Sequence, residues 1–470
     1  MKQLSIILSV LSLTICQFSF AREISGRVHC GNKGIQNVVI SDGYTTVKTD
    51  KSGKYSIDTD KDARFVFIST PSGYSTPAED GHTVHYIKIA EKASGYDFAL
   101  TKKKYNDTRH NIIAIADQQV YDKEDLVPFK AAVNDIAATA SGFGNEETIG
   151  ICCGDITSYD HGLYSDINKT LSESGIIFRN VPGNHDMKVY GRSNDTSTEL
   201  FEKTYGPAYY SFNVGKVHYV MLNDNFYIGR DYFYIGYIDE KQLKWLESDL
   251  SHIEAGNTVF VSMHIPTTLS EKDRKTFSYD DIATSLTNKK ALYEILKPYN
   301  VHILSGHMHT AENQIIEENL YEHNIPALSG AWWCGSLCTD GTPNGYEVMS
   351  IDGNEVSWLY KSVGYDKEMQ MRVYKDEFEG YVVANVWNYD PQWKIEYWVN
   401  GKKVCDMEQF SGFDPDARAM YADRSKLKHQ YVWASETDHL FRAPATGNED
   451  NAEVRATDPF GRTYIEKVGK

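Results

Sequence analysis

The residues best suited to chemistry are seven side chains with oxygen or imidazole donors: Asp117, Gln119, Asp155, Asn184, His264, His307 and His309. Each follows closely on an apolar run of strand character. Residues 112–116 lead into Asp117 and Gln119, 149–153 into Gly154-Asp155, and 176–182 into Gly183-Asn184-His185-Asp186. Residues 259–263 lead into His264, and 301–305 into Gly306-His307-Met308-His309. Five runs with the same ending bring their polar residues together at the carboxyl edge of a sheet, where α/β proteins bind ligands. Two divalent cations about 3.5–4 Å apart need a carboxylate that touches both, and mixed nitrogen and oxygen donors suit Mn, Fe or Zn better than Ca. Asp155 is the natural bridge. The glycines ahead of Asp155, Asn184 and His307 allow sharp turns at the strand ends, so that short side chains reach the ions. His307 and His309 address different ions only if the backbone leaves regular strand geometry; on a regular strand both share one face.

The elements that must hold these residues are an alternation of apolar strands and amphipathic helices, which argues for an α/β domain over 105–355. One helix starts at Asp239 as N-cap, with Gln242 completing a capping box and Leu243, Leu246, Leu250 and Ile253 on one face. Another is expected over Lys289–Leu296, ended by Pro298. Ahead of this domain, 22–104 shows short alternating runs punctuated by turns, which predicts a small all-β sandwich. Its "GIQNVVISDG" and "TDKSGKY" resemble the transthyretin-like or carboxypeptidase-regulatory-like domains. The polar stretch 101–109, with Lys102, Lys103 and Lys104 in a row, reads as a solvated linker. From 356 to 470 strand patterns return, beginning with 356–360, and predict a C-terminal β-sandwich in which Trp387, Trp393 and Trp398 serve as core and cross-strand pairs rather than a sugar platform.

With 470 residues, 41% hydrophobic and 24% charged, the chain can build two or three globular domains. Its formal charge of −17 opposes general binding to nucleic acid or anionic membrane, so no nucleic-acid partner is expected and a nuclease role fits poorly. Residues 1–21 read as an export signal, with Lys2, an apolar stretch over 4–15 and Ser19-Phe20-Ala21 before the cleavage point. A periplasmic or extracellular protein follows. Lipid anchoring at Cys16 is disfavoured by the bulk of Ile15, and no later run is long enough to span a membrane. Six cysteines remain after cleavage; Cys152 and Cys153 point to opposite faces of a strand, and Cys334 and Cys338 are spaced so that a bridge and two free thiols are equally open.

The motifs "ADQQ", "GDI", "GNHD", "MH" and "GHMH", in this order, resemble those of the calcineurin-like metallophosphoesterase superfamily, and the flanking domains resemble a bacterial branch with N- and C-terminal additions. The resemblance implies a central four-layer α/β/β/α sandwich between two all-β sandwiches. It further implies that Asp117, Gln119, Asp155 and His309 hold one ion and Asp155, Asn184, His264 and His307 the other. His185 would face the phosphate as acid or transition-state donor, with Asp186 orienting it. The implied reaction is hydrolysis of a phosphate monoester or diester by a metal-bridging hydroxide. Gln119 stands where the family pattern has histidine. Its amide oxygen is a weaker, harder donor that shifts preference toward Mn or Fe. It also resembles the branch of manganese-dependent ADP-ribose and CDP-alcohol diphosphatases, which keeps nucleotide diphosphates as an alternative substrate class. A second alternative is a catalytically dead binding scaffold. Ser158 occupies the place of the purple acid phosphatase tyrosinate, so no charge-transfer iron site is expected.

Several residues outside these motifs remain open between structural and pocket roles. His218 and His252 read as structural. Asp160, His161, His323 and Asn324 are candidates for the pocket edge, and 329–346, "SGAWWCGSLCTDGTPNGY", fits either a substrate wall or the junction with the C-terminal domain. The insertion over 187–238 reads as a lid that selects substrate.

Overall fold

The computed structural model describes residues 22–229, 233–267, 278–447 and 449–469. The export segment and Cys16 lie outside the described residues.

Two sheets pack face to face at the centre. In the first, the strands Arg109–Ile115, Glu147–Cys152 and Phe178–Asn180 run parallel, and the antiparallel Gly345–Asp352 and Glu355–Ser362 extend one edge. In the second, Val217–Met221, Thr258–Ser262, Asn300–Ser305 and Leu320–Asn324 are parallel, with Tyr210–Val214 and Glu312–Glu317 at the edges. Alternation along the strands assigns the faces. Ile112, Ala114 and Cys153 enter the core between the sheets, whereas Ile113, Ile115 and Cys152 pack beneath Phe129, Val133 and Ile167 of the helices Leu126–Ser141 and Tyr164–Ser172. Trp245, Leu246, Leu292 and Leu296 cover the second sheet from the helices Glu240–Leu250 and Lys289–Leu296. The result is the four-layer α/β/β/α order. Asp239 caps its helix by accepting from Gln242 N at 2.9 Å, but the Gln242 side chain turns away to bond the backbone of Asn223, so the capping box is half formed.

The flanking regions are sandwiches with their own cores. The N-terminal one gathers Ile24, Val28, Ile40 and Ile68, and the C-terminal one closes two four-stranded sheets over Val382, Tyr397 and Val454. Trp387 is buried, Trp393 stacks on Tyr464, and Trp398 lies under Arg455, so these tryptophans are taken up within the domain.

Both domain junctions are more intimate than patterning suggests. Glu355–Ser362 pairs with Gly345–Asp352 over its whole length and belongs to the central sheet, not to the C-terminal sandwich. At the opposite edge a hairpin from the N-terminal region, Ala78–Glu79 with His82–Thr83, joins the same sheet through Phe178. Only part of the lysine run is solvated: Lys102 and Lys104 are exposed as a spacer requires, whereas Lys103 is not. Lys103 is buried and paired with Asp107 at 3.0 Å and Glu147 at 2.6 Å, where removal of either sign would strand a charge. Nor is 187–238 a lid throughout, because 210–214 and 217–221 are core strands of the second sheet.

Candidate metal centre

All seven expected ligands sit just past the carboxyl ends of central strands, where the two sheets open. The backbone leaves strand geometry there: φ is positive at Asp117 (53°), Gln119 (36°), Asp155 (52°), His307 (75°) and His309 (55°). Five non-glycine residues in this sparsely populated region mark a local conformation imposed by the surrounding fold. Asp117 N bonds Gly154 O and Gln119 N bonds Asp155 O, which ties the first two loops together. Of the three glycines, Gly154 alone needs a positive φ, at 89°. Gly183 and Gly306 serve close approach instead, since an added Cβ would lie 2.1 Å from Asp155 Oδ1 and 2.6 Å from Asp117 Oδ2 respectively.

Tautomers follow from the hydrogen bonds. His264 Nδ1 donates to Cys153 O at 2.8 Å and His309 Nδ1 donates to Gly330 O at 2.7 Å. Each ring therefore turns an Nε2 lone pair inward. His264 Nε2 lies 3.0 Å from Asn184 Oδ1, 3.1 Å from His307 Nδ1 and 3.4 Å from Asp155 Oδ2. Asn184 Oδ1 and Asp155 Oδ2 can only accept, and each neutral imidazole keeps one acceptor nitrogen, so their convergence suits a cation. Asp155, His264 and His307 offer ligand atoms all within 4.8 Å of one another.

On the other side, Asp117 Oδ1, Gln119 Oε1 and His309 Nε2 are buried without a hydrogen-bond partner. Asp117 Oδ1 and His309 Nε2 are 3.6 Å apart. Between the two groups lies Asp155. Its Oδ1 accepts from His185 N at 2.8 Å, and its Oδ2 faces Gln119, His264 and His185. The donor set thus fits two divalent ions sharing Asp155, as orphaned acceptors on one flank and crowded acceptors on the other.

The electrostatics agree. Burial holds His307 and His309 neutral, down to about 3 and about 4, as imidazole ligands must be. Burial likewise raises Asp117 to about 8, with the Asp155 charge adding to it. His264 behaves oppositely. Burial favours its neutral form, yet Asp155, Asp117 and Asp224 draw it up to about 10, so the field at this spot favours positive charge.

His185 stands beside the ligands, its Nε2 3.8 Å from Asp155 Oδ2 and its ring against Tyr159. Asp186, expected to orient it, does so only through the backbone. The Asp186 carboxylate accepts from Gly183 N, Ile156 N and the Tyr164 hydroxyl, while the His185 ring meets Ser158 Oγ at 3.3 Å. Asp186 is fully buried and fixes the loop that carries Asn184 and His185.

The open candidates also resolve. His218 forms a buried pair with Asp249, and His252 bonds Thr46 of the N-terminal domain. His161 bonds Asp186 O and Asp160 caps the following turn. Asn324 bonds Gly306 O and so supports the His307 turn, whereas His323 is stacked in the core against His302. Cys334 and Cys338 are free thiols, so no bridge closes 329–346. Trp332 takes the junction role, packing against the C-terminal cluster around Ala417 and Val432, and its ring also stacks on His309 at 4.0 Å.

Asp224 is a support that pattern reading missed. Its buried carboxylate accepts from His264 N at 3.2 Å and Ile265 N at 2.8 Å, and Asn225 beside it holds Pro182 O. The signal was present, since Asn223-Asp224-Asn225 follows the apolar run 217–222 as the other polar residues follow theirs.

Three family models match in chain order. The "N terminal of Calcineurin-like phosphoesterase" matches residues 22–103, "Calcineurin-like phosphoesterase" residues 111–311, and the "C terminal of Calcineurin-like phosphoesterase" residues 322–464. The Homo sapiens serine/threonine-protein phosphatase CPPED1 is 28% identical over 186 residues, which cover 39% of this chain and 55% of that protein. The chain thus spans about half the length of this curated relative. Among solved structures, a dimetal phosphatase from Danio rerio is 14% identical with a TM-score of 0.37, covering 59% of this chain and 95% of its own. A purple acid phosphatase from yellow lupin (Lupinus luteus) is 10% identical with a TM-score of 0.43, covering 73% and 72%.

Proposed function

This chain belongs to the calcineurin-like phosphoesterases, in a form with N- and C-terminal additions, and on that premise we propose that it hydrolyses a phosphate monoester or diester at a two-cation centre. The observation that carries the reading is the set of buried acceptors without donors: Asp117 Oδ1, Gln119 Oε1 and His309 Nε2 on one side of Asp155. Buried polar atoms are almost always paired, and a scaffold that bound no cation would hold these three at a cost.

Asp117, Gln119, Asp155 and His309 would hold one ion, and Asp155, Asn184, His264 and His307 the other. Two divalent cations supply an acidified water and positive charge against the phosphoryl oxygens. The chain supplies the rest. Asp155 spends Oδ1 on His185 N and turns Oδ2, which also accepts from Gln119 Nε2 at 3.0 Å, toward the centre, so one carboxylate would position both the ions and the acid. His185 is partly exposed and not among the ligands. Its Nδ1 is steadied by Ser158, which leaves Nε2 to hold or give a proton at the leaving oxygen. Asp224 fixes the backbone of His264. Gln119 contributes only an amide oxygen, which supports Mn or Fe over Zn.

We further propose that the protein works outside the cytoplasm, on the strength of residues 1–21. Sequencing the N-terminus of exported protein should give Arg22 as the first residue; an intact Met1 on exported protein would refute the cleavage. For the activity, aryl phosphate mono- and diesters are the test. Hydrolysis should be lost on chelation, return with Mn, and fall about 100- to 10,000-fold in His185→Ala, the range of general acid catalysis. Turnover indifferent to chelation would refute the reading.

A further inference from the structure

The metal centre is surrounded by aromatic rings from separate parts of the chain. Trp332 stacks on His309, Tyr159 lies against His185 at 4.3 Å, and the Tyr234 hydroxyl points to His307 Nε2. Tyr121, two residues past Gln119, joins its hydroxyl to that of Tyr431 at 2.5 Å. Tyr431 comes from the C-terminal domain, and its ring also meets Trp332 edge-on at 5.4 Å. One tyrosine of that domain thus links the ring stacked on His309 to a ring two residues past Gln119.

The placement is built rather than incidental. Trp332 and Tyr159 hold φ at 53° and 68°, a conformation that bulky residues adopt only where the surroundings impose it. The segment bearing Tyr431 is fastened on both sides: Lys428 pairs with Asp122 at 2.9 Å and Asp125 at 2.5 Å, and Ser435 N bonds Thr339 O. Thr339 in turn bonds His309 O through its backbone. Tyr431 stacks on His429 at 5.4 Å yet remains 45% exposed, so a ring held by these contacts is still open to solvent. Lys428 is spent on two carboxylates and Arg424 on the Gln430 carbonyl, so the exposed part of this wall is chiefly aromatic.

We propose that Trp332 and Tyr431, backed by Tyr121 and Tyr159, form a subsite for a leaving group with a flat, weakly polar face, and that the C-terminal domain thereby selects the substrate. A nucleobase and the face of a sugar ring share that chemistry. The inference rests on the phosphoesterase reading and extends it to the alcohol side of the ester.

The test uses the full chain loaded with Mn and two matched pairs, each as monoester and as methyl diester. A nucleoside 5′-monophosphate is compared with ribose 5-phosphate, and glucose 6-phosphate with ethyl phosphate; within each pair the leaving oxygen is a primary alcohol and only the ring differs. The member carrying the extra ring should be favoured in kcat/KM by about tenfold in at least one pair, the scale of one base stacked on an aromatic side chain. The favoured pair identifies the source. Tyr431→Ala should erase most of that preference, and Tyr431→Phe, which keeps the ring, should retain it. Nucleoside or glucose, whichever is favoured, should also quench tryptophan emission in the wild type and less in Trp332→Phe. Hydrolysis without ring preference, or equal loss on both members in Tyr431→Ala, overturns the subsite and leaves the phosphoesterase standing. Failure to hydrolyse any of these esters or an aryl phosphate removes both.

Discussion

Removing divalent ions should loosen the central domain by an amount that the site itself sets. Asp117 Oδ1, Gln119 Oε1 and His309 Nε2 are buried acceptors without donors, and each such atom costs about 1–3 kcal/mol. Satisfying all three should therefore stabilise the folded state by at least roughly 3 kcal/mol. For a domain of this size that corresponds to a rise in Tm of about 6–12 °C. Differential scanning calorimetry of chelated protein, followed by Mn addition, measures it directly. In Asp155→Asn, where an amide replaces the shared carboxylate, most of the shift should vanish. An unchanged Tm on chelation and reloading would refute the reasoning, because the orphaned atoms would then have found partners without a cation.

Three further perturbations test other parts of the account. Asp224→Ala leaves His264 N and Ile265 N without their acceptor, so denaturant unfolding should show a loss of about 2–4 kcal/mol and metal titration a fall of about 10- to 100-fold in affinity. Lys103→Ala leaves the buried Asp107 and the half-buried Glu147 without their cation at the junction with the N-terminal domain and should cost about 3–5 kcal/mol by urea unfolding. Burial pushes the Glu347 carboxyl from 4.5 up to about 8, so the folded chain keeps a proton that the unfolded chain gives up. Its contribution is whole below about pH 4.5 and is lost as pH rises through about 8, to a limit of about 4–5 kcal/mol; in Glu347→Gln unfolding curves that slope should flatten relative to wild type.

The site was more legible than the boundaries, for a physical reason. A strand that ends in Gly-Asp or Gly-His announces both an element and the group at its tip, so local sequence was enough for Asp155 and His307. Strand character does not tell which sheet a strand joins. Glu355–Ser362 alternates as well for a sandwich as for the central sheet, and only its pairing with Gly345–Asp352 decides. The hairpin at 78–83 is shorter still and takes its place through tertiary contact with Phe178. Lys103 illustrates the same limit for charge, since its partners Asp107 and Glu147 include one 44 residues away. The resemblance implies that Asp186 orients His185, but a carboxylate in a tight loop is claimed first by nearby N–H groups. The aromatic wall was least legible, because Trp332, Tyr121 and Tyr431 are brought together from three distant segments.

The central claim is that two cations share Asp155 and that their joint presence makes the enzyme. Titrating metal-free protein with Mn while recording bound ion and aryl phosphate turnover together tests it most directly. Wild type should bind two ions per chain, with turnover appearing only as the second site fills, and Asp155→Asn should lose both the second ion and the turnover. Full activity at one ion per chain, or activity unaltered in Asp155→Asn, would contradict it.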